Sequence, residues 1–224
     1  MSPDSGRYEA LLAYPEGRST PARAAKTASR LGYDGLIIKN ALDQPSAPSV
    51  EQVAGTHDID IATGVELHPE APDDASGRLP HLRTQVDVVM VAGGSSRLNR
   101  FIATQRHVDV LSRAISPDTS FIEAGVVKNA IEHDVALELN LSPLSRRGGS
   151  RVRYLQQLDH LWRLVDHYGA DFVVTMRPRS HLELRDLRSL RALGTEVGID
   201  EEAIDRGTDT WGNIVERNRL REVD

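Results

Sequence analysis

Seven short, nearly uninterrupted apolar runs recur along this chain, separated by stretches with helical spacing, and that alternation constrains the fold more than any other feature. The runs cover residues 8–13 (YEALLA), 34–40 (DGLIIKN), 60–68 (DIATGVELH), 86–92 (VDVVMVA), 108–111 (VDVL), 135–141 (VALELNL) and 171–176 (DFVVTM). Strands apolar on both faces belong to a parallel sheet covered by helices. The connecting segments carry helix signals. Thr20-Pro21 reads as a cap with proline in the first turn, and Gly32 as the stop. Pro45 and Pro48 mark a loop before a short helix over 49–55, and a further helix is predicted over 97–104. Ser120 and Glu123 fit a capping box for a helix running to His133. Val152, Leu155, Leu158, Trp162 and Val165 repeat at helical spacing within 150–168. Helices over 182–193 and 208–221 complete the pattern, and residues 69–80 are expected to be an exposed, turn-rich loop.

A chain of 224 residues suits one such unit. The expectation is a single α/β domain over 1–224, a TIM-like (β/α) barrel of about seven parallel strands ringed by helices, with helices in 200–224 packed on it. The strand after residue 194 is poor or missing, and an open doubly wound sheet is the structural rival. In a barrel, functional groups gather at the C-terminal ends of the strands.

Composition removes several chemistries. There is no cysteine, hence no disulfide, thiolate nucleophile or Cys-ligated zinc. No apolar run is long enough to cross a membrane, and the N-terminus lacks a signal-peptide core, so a cytoplasmic protein with no membrane partner is expected. The net charge of -6 argues against simple strong nucleic-acid binding. Yet of 27 Lys and Arg only Lys26, Lys39 and Lys128 are lysine. Arginine's planar fork suits phosphate, although a GC-rich genome would also favour it. An acidic surface is equally what a high-salt interior would select, and there exposed phosphate contacts are screened.

The candidate site residues lie at strand ends. Lys39 ends the second run, and Arg97 and Arg100 follow the turn Gly93-Gly94-Ser95-Ser96. That turn either cradles a phosphate or simply joins strand to helix; it lacks the P-loop Lys-Ser/Thr. Arg146, Arg147, Arg151 and Arg153 surround a Gly-Gly turn after the sixth run, and Arg177, Arg179 and His181 follow the seventh. These arginines suit an RNA backbone or an acidic partner, and a barrel would bring them to one rim. Tyr8, Tyr14 and Tyr154 are candidates for stacking on bases, though aromatics are too few for a dedicated platform. Glu66 and His68 share one face of a strand, as do Glu138 and Asn140. They are either buried polar groups or the remains of a metal phosphoesterase. The scattered histidines do not make a convergent ligand set, so no metal and no catalytic residue is assigned. His57, Asp58 and Asp60 look ligand-like but fit a solvated loop. Trp211, Ile214, Val215 and Leu220 form an apolar stripe beside Arg217, Arg219 and Arg221, read first as core packing and second as a docking face.

An ordered set of segments resembles a known family. It comprises Tyr8-Glu9-Ala10 with Tyr14-Pro15, Tyr33 to Asn40, Gly64-Val65-Glu66-Leu67, Val88 to Gly94, Asn99-Arg100, Val108 to Ser112, Ala136 to Leu144, Val173-Val174-Thr175 and Leu184 to Arg188. Together they are similar to the ribonuclease P protein component 3 family, the archaeal counterpart of the eukaryotic thirty-kilodalton subunit. The resemblance implies a barrel related to the polymerase-and-histidinol-phosphatase superfamily. It implies partners too: ribonuclease P RNA, protein component 2, other subunits, and precursor tRNA indirectly. The RNA would supply the chemistry with its own magnesium, so the chain needs no cofactor and is not catalytic alone. Enzymes of that superfamily carry metal-binding histidines after strand one and an acidic, His-containing segment after strand seven. Here those places hold Leu12-Ala13-Tyr14-Pro15 and Thr175-Met176-Arg177-Pro178-Arg179-Ser180. The alternative within the same superfamily is a divergent metal-dependent phosphoesterase using Glu66, His68 and Glu138.

Overall fold

A computed structural model describes residues 6–40, 59–145 and 150–221. The predicted helix over 49–55, His57, Asp58, Arg146 and Arg147 lie outside the described residues. Seven parallel strands follow one another in sheet order: β1 Tyr8–Leu11, β2 Gly35–Ile38, β3 Asp60–Leu67, β4 Val88–Ala92, β5 Val110–Ser112, β6 Ala136–Asn140 and β7 Phe172–Thr175. Helices on the outside are α1 Pro21–Arg30, α2 Pro72–Ser76, α3 Leu79–Arg83, α4 Ser96–Ile102, α5 Ala124–Glu132, α6 Arg151–Tyr168 and α7 Leu187–Thr195; α8, Glu201–Arg221, is the last. The sheet curls into a nearly closed barrel and the doubly wound alternative is discarded, because consecutive strands are neighbours throughout.

Strand alternation sorts the core into two shells. One face of each strand packs outward on helices, as with Leu111, Leu137 and Val174. The other points inward, where Ala10, Ile37, Ala62, Met90, Val110, Ala136 and Val173 fill the barrel. Trp211, Ile214 and Val215 of α8 join that inner cluster. The apolar stripe at the C-terminus is therefore core, apart from Leu220, which is exposed.

No strand pairing joins β7 to β1, and the seam is held by other groups. The Leu12 N–H donates to the Pro178 carbonyl at 3.1 Å. The buried Glu9 carboxylate accepts from the Thr175 hydroxyl at 2.5 Å and the Met176 N–H at 3.0 Å. From α8, the Trp211 indole N–H donates to the Val174 carbonyl at 2.9 Å. The helix lies so close that a Cβ at Gly212 would stand 2.1 Å from the Gly6 carbonyl oxygen. Its C-terminal turns then cross the N-terminal ends of β3 to β5. Arg219 binds Asp60 and Asp87 at 2.8 and 2.9 Å, while Arg217 and Asn218 bind Asp109 at 2.9 and 2.8 Å. Each of those aspartates opens or immediately precedes a strand, so α8 floors the barrel.

Three local expectations need correction. Residues 69–80 are not a plain loop but lead into α2 and α3, with proline in each first turn and Ala75, Leu79 and Leu82 buried. The proposed capping box at Ser120 and Glu123 is absent: α5 starts at Ala124, and the Glu123 carboxylate pairs with Arg100 instead. α8 starts seven residues before the predicted helix at 208, with the Asp200 carboxylate accepting from the Ala203 N–H.

Burial pushes the Glu9 carboxyl from its ordinary 4.5 up to about 7, against the pull of its hydrogen bonds and Lys39. A raised carboxyl holds its proton longer in the folded state, so this group makes stability fall as pH rises from about 4.5 to 7. The stability difference between the native chain and Glu9→Gln should therefore shift against the native chain across that window. Chemical denaturation at pH 5, 6, 7 and 8 measures it, and a pH-independent difference would refute the ionisation of Glu9 as its source.

Candidate functional site

The inward face of the barrel changes character at its C-terminal end. One alternation beyond Ile37, Gly64, Val110, Ala136 and Val173 come Lys39, Glu66, Ser112, Glu138 and Thr175. Two carboxylates so placed in an apolar barrel must be neutralised. Arg177, the second residue beyond β7, does this for both. Its guanidinium donates to Glu138 at 2.7 and 2.9 Å and to Glu66 at 2.7 Å on both oxygens. Lys39 Nζ adds a 3.0 Å bond to Glu66, and the Ser112 hydroxyl one of 2.7 Å. The Arg113 N–H donates to Glu138 at 2.9 Å. The four charged side chains are at most 10% exposed.

Backbone geometry gives this cluster its shape. Arg113 and Arg177 have φ of 50° and 47°, the left-handed region that non-glycine residues rarely occupy. Such conformations persist where the surroundings enforce them. At Arg177 the Thr175 hydroxyl accepts the backbone N–H at 2.8 Å, and that hydroxyl itself donates to Glu9. The turn sends the guanidinium back over the barrel.

The charge coupling is strong. Burial raises the Glu66 carboxyl, but Lys39 and Arg177 beside it outweigh that and hold it well below the usual carboxylate range. Burial likewise works against the Arg177 charge, and Glu138 and Glu66 more than restore it. Partial burial holds the His68 imidazole below its ordinary value, with Arg113 and Arg177 adding to the effect against Glu66, 3.8 Å away.

The residues do not fit a dication. The guanidinium fills the place between Glu66 and Glu138, and their oxygens are engaged by protein donors. Among the described residues no group of three His or acidic side chains stands ready to hold a metal. Glu66 and Glu138 are thus buried, satisfied polar groups, which was one of the two readings of the sequence.

The predicted basic rim divides. Lys39 and Arg177 lie inside the ion-pair cluster. Arg151 and Arg153 are exposed on the first turn of α6. Arg179 is exposed, with its guanidinium on the Glu16 carbonyl at 2.8 Å. Arg97 is exposed on α4, and Arg100 pairs with Glu123 at 2.6 Å. Arg113 was missed, although it directly follows β5 and the strand-end rule that selected Arg177 also selects it. Lys39, Arg113, Arg151, Arg177 and Arg179 line one cavity of about 550 Å³ at the mouth, together with Tyr154 and Asn140.

Gly93-Gly94 is a tight strand-to-helix turn. The Asn99 side chain accepts the Gly94 N–H at 3.0 Å and donates to the Ala114 carbonyl, so the Gly94 donor is engaged within the protein. Of the three tyrosines, Tyr8 binds Asp60 and Tyr154 is buried; Tyr14 is exposed.

Removing Arg177 would leave two buried carboxylates facing each other. Arg177→Ala should cost about 3–5 kcal/mol of stability, the usual penalty for breaking a buried ion pair. Free guanidinium at millimolar concentration should raise the variant's melting temperature more than the same concentration of NaCl, and leave the native chain unmoved. Equal responses to the two salts would show that the guanidinium position is not essential.

The family model described as RNase P subunit p30 matches residues 6–223. A ribonuclease P protein component 3 from Haloarcula marismortui is 38% identical over 96% of this chain and 92% of its own length. The Natronomonas pharaonis protein of the same name is 40% identical over 96% of this chain and 89% of its own. A chain in a cryo-EM structure of archaeal ribonuclease P with mature tRNA shares the fold at TM-score 0.82, covering 97% of this chain and 94% of that one at 18% identity. On the match along nearly its whole length, this chain belongs to the ribonuclease P subunit p30 family.

Proposed function

We propose that this chain is a protein subunit of ribonuclease P that assists a catalytic RNA in removing the 5′ leader of precursor tRNA. The observation that carries this reading is the family match over residues 6–223. The barrel mouth supports the division of labour. Where a hydrolase of this architecture needs an open metal site, Arg177 closes the gap between Glu66 and Glu138. The reaction is then that of the assembled enzyme, with magnesium on the RNA and none brought by this chain. Exposed Arg113, Arg151, Arg153 and Arg179 support contact with RNA phosphates or an acidic partner surface. Protein component 2 and the other protein subunits are the proposed companions, and the cytoplasm the proposed place of action. Among the described residues no helix is long and apolar enough to cross a membrane.

Reconstitution tests the proposal. The pure chain should not cleave precursor tRNA. Added with component 2 to the catalytic RNA, it should raise the cleavage rate, and a variant with Arg113, Arg151, Arg153 and Arg179 all changed to Ala should lose at least tenfold of that gain. Metal-dependent phosphoester hydrolysis by the pure chain, abolished in Glu138→Ala, would overturn this reading in favour of the phosphoesterase.

A further inference from the structure

The cavity at the barrel mouth has a chemistry that RNA-backbone contact alone does not explain. At about 550 Å³ it lies within the roughly 300–1,000 Å³ typical of small-molecule sites, and far exceeds what a lone phosphate group fills. Among the described residues five cations line it and no carboxylate does, in a chain whose net charge is -6. Glu66 and Glu138 beneath it offset Lys39 and Arg177, leaving Arg113, Arg151 and Arg179 in excess. These three come from separate segments: the turn after β5, the first turn of α6 and the turn after β7. Arg113 reaches Glu66 only at 3.6 Å, on a carboxylate already shared, and among the described residues Arg151 and Arg179 have no ion pair. Three forks lining one cavity, two of them with no ion pair among the described residues and the third with only a shared one, suit a phosphate dianion.

The remaining lining is not built for an ion. Leu12, Ile115, Pro117, Pro143 and the buried Tyr154 give the cavity an apolar part. The Asn140 side-chain oxygen is held by the Ser142 N–H at 3.0 Å, and among the described residues its amide Nδ2 has no partner. That amide is a ready donor to a ring nitrogen or carbonyl. One ligand therefore needs an anionic end and a flat, largely apolar body with acceptors on its edge. We infer that this cavity binds a single nucleotide, its phosphate on Arg113, Arg151 and Arg179 and its nucleoside against Leu12, Ile115 and Tyr154. The nucleotide is either free or the unpaired terminal nucleotide of a strand; the shared chemistry is the nucleoside phosphate.

Isothermal titration of the full chain with 5′-AMP, inorganic phosphate, adenosine and short single-stranded RNA with or without a 5′-phosphate tests the assignment. 5′-AMP should bind at least tenfold more tightly than phosphate or adenosine. The double variant Arg113→Ala, Arg151→Ala should weaken it at least tenfold with no change in thermal unfolding, since both side chains are exposed. A 5′-phosphorylated strand that outbinds both 5′-AMP and its unphosphorylated form identifies a strand end; 5′-AMP binding equal to it identifies a free nucleotide. Inorganic phosphate binding as tightly as 5′-AMP, or affinity unchanged in the double variant, would overturn the assignment. No catalytic RNA is present in this assay, so its failure would leave the ribonuclease P reading standing.

Discussion

The Arg177 guanidinium, wedged between the Glu66 and Glu138 carboxylates, is the interaction on which the upper half of this barrel depends. A buried carboxylate pair is tolerable only with a matched cation, and a planar guanidinium can serve both at once. A bound dication would do the same electrostatic work, but it would leave open coordination positions for water and substrate. A tethered guanidinium leaves none. The C-terminal end of the barrel is thereby a neutral, closed plug beneath a positively charged surface.

That plug organises what surrounds it. At the left-handed turn of Arg177 the guanidinium returns to Glu66 and Glu138 while its N–H binds Thr175, and at that of Arg113 the N–H reaches Glu138. The acidic total charge and the basic mouth are compatible for the same reason: internal carboxylates absorb only the two innermost cations, and the outer arginines remain available. Electrostatic attraction in such a molecule is a local property of one end of the barrel, effective over about a Debye length.

The fold was legible because strands buried on both faces leave long apolar runs, and all seven runs became strands in order. α2 and α3 were not, since proline at a helix start looks locally like a turn signal. The burial of Glu66 and Glu138 was readable from their alternation with apolar residues. Their partner was not: Arg177 stands 111 and 39 residues away in sequence and reaches them only once the sheet has curled. The Arg clusters drew attention to 146–153 and 177–181, while a lone Arg113 after a short strand carried no compositional signal. The distinction between buried and exposed arginines is likewise tertiary.

The floor contributed by α8 has a consequence for how the molecule is made. Trp211, Ile214 and Val215 complete an interior whose other walls are strands from residue 8 onward, yet they leave the ribosome after all seven strands. Domains fold during synthesis at roughly 5–20 residues per second, N-terminal parts first. Until Trp211, Ile214 and Val215 emerge, the inner cluster lacks three of its apolar side chains and the seam lacks the Trp211 bond to Val174. α8 is the piece that completes the inner cluster and bridges to β7 at the seam.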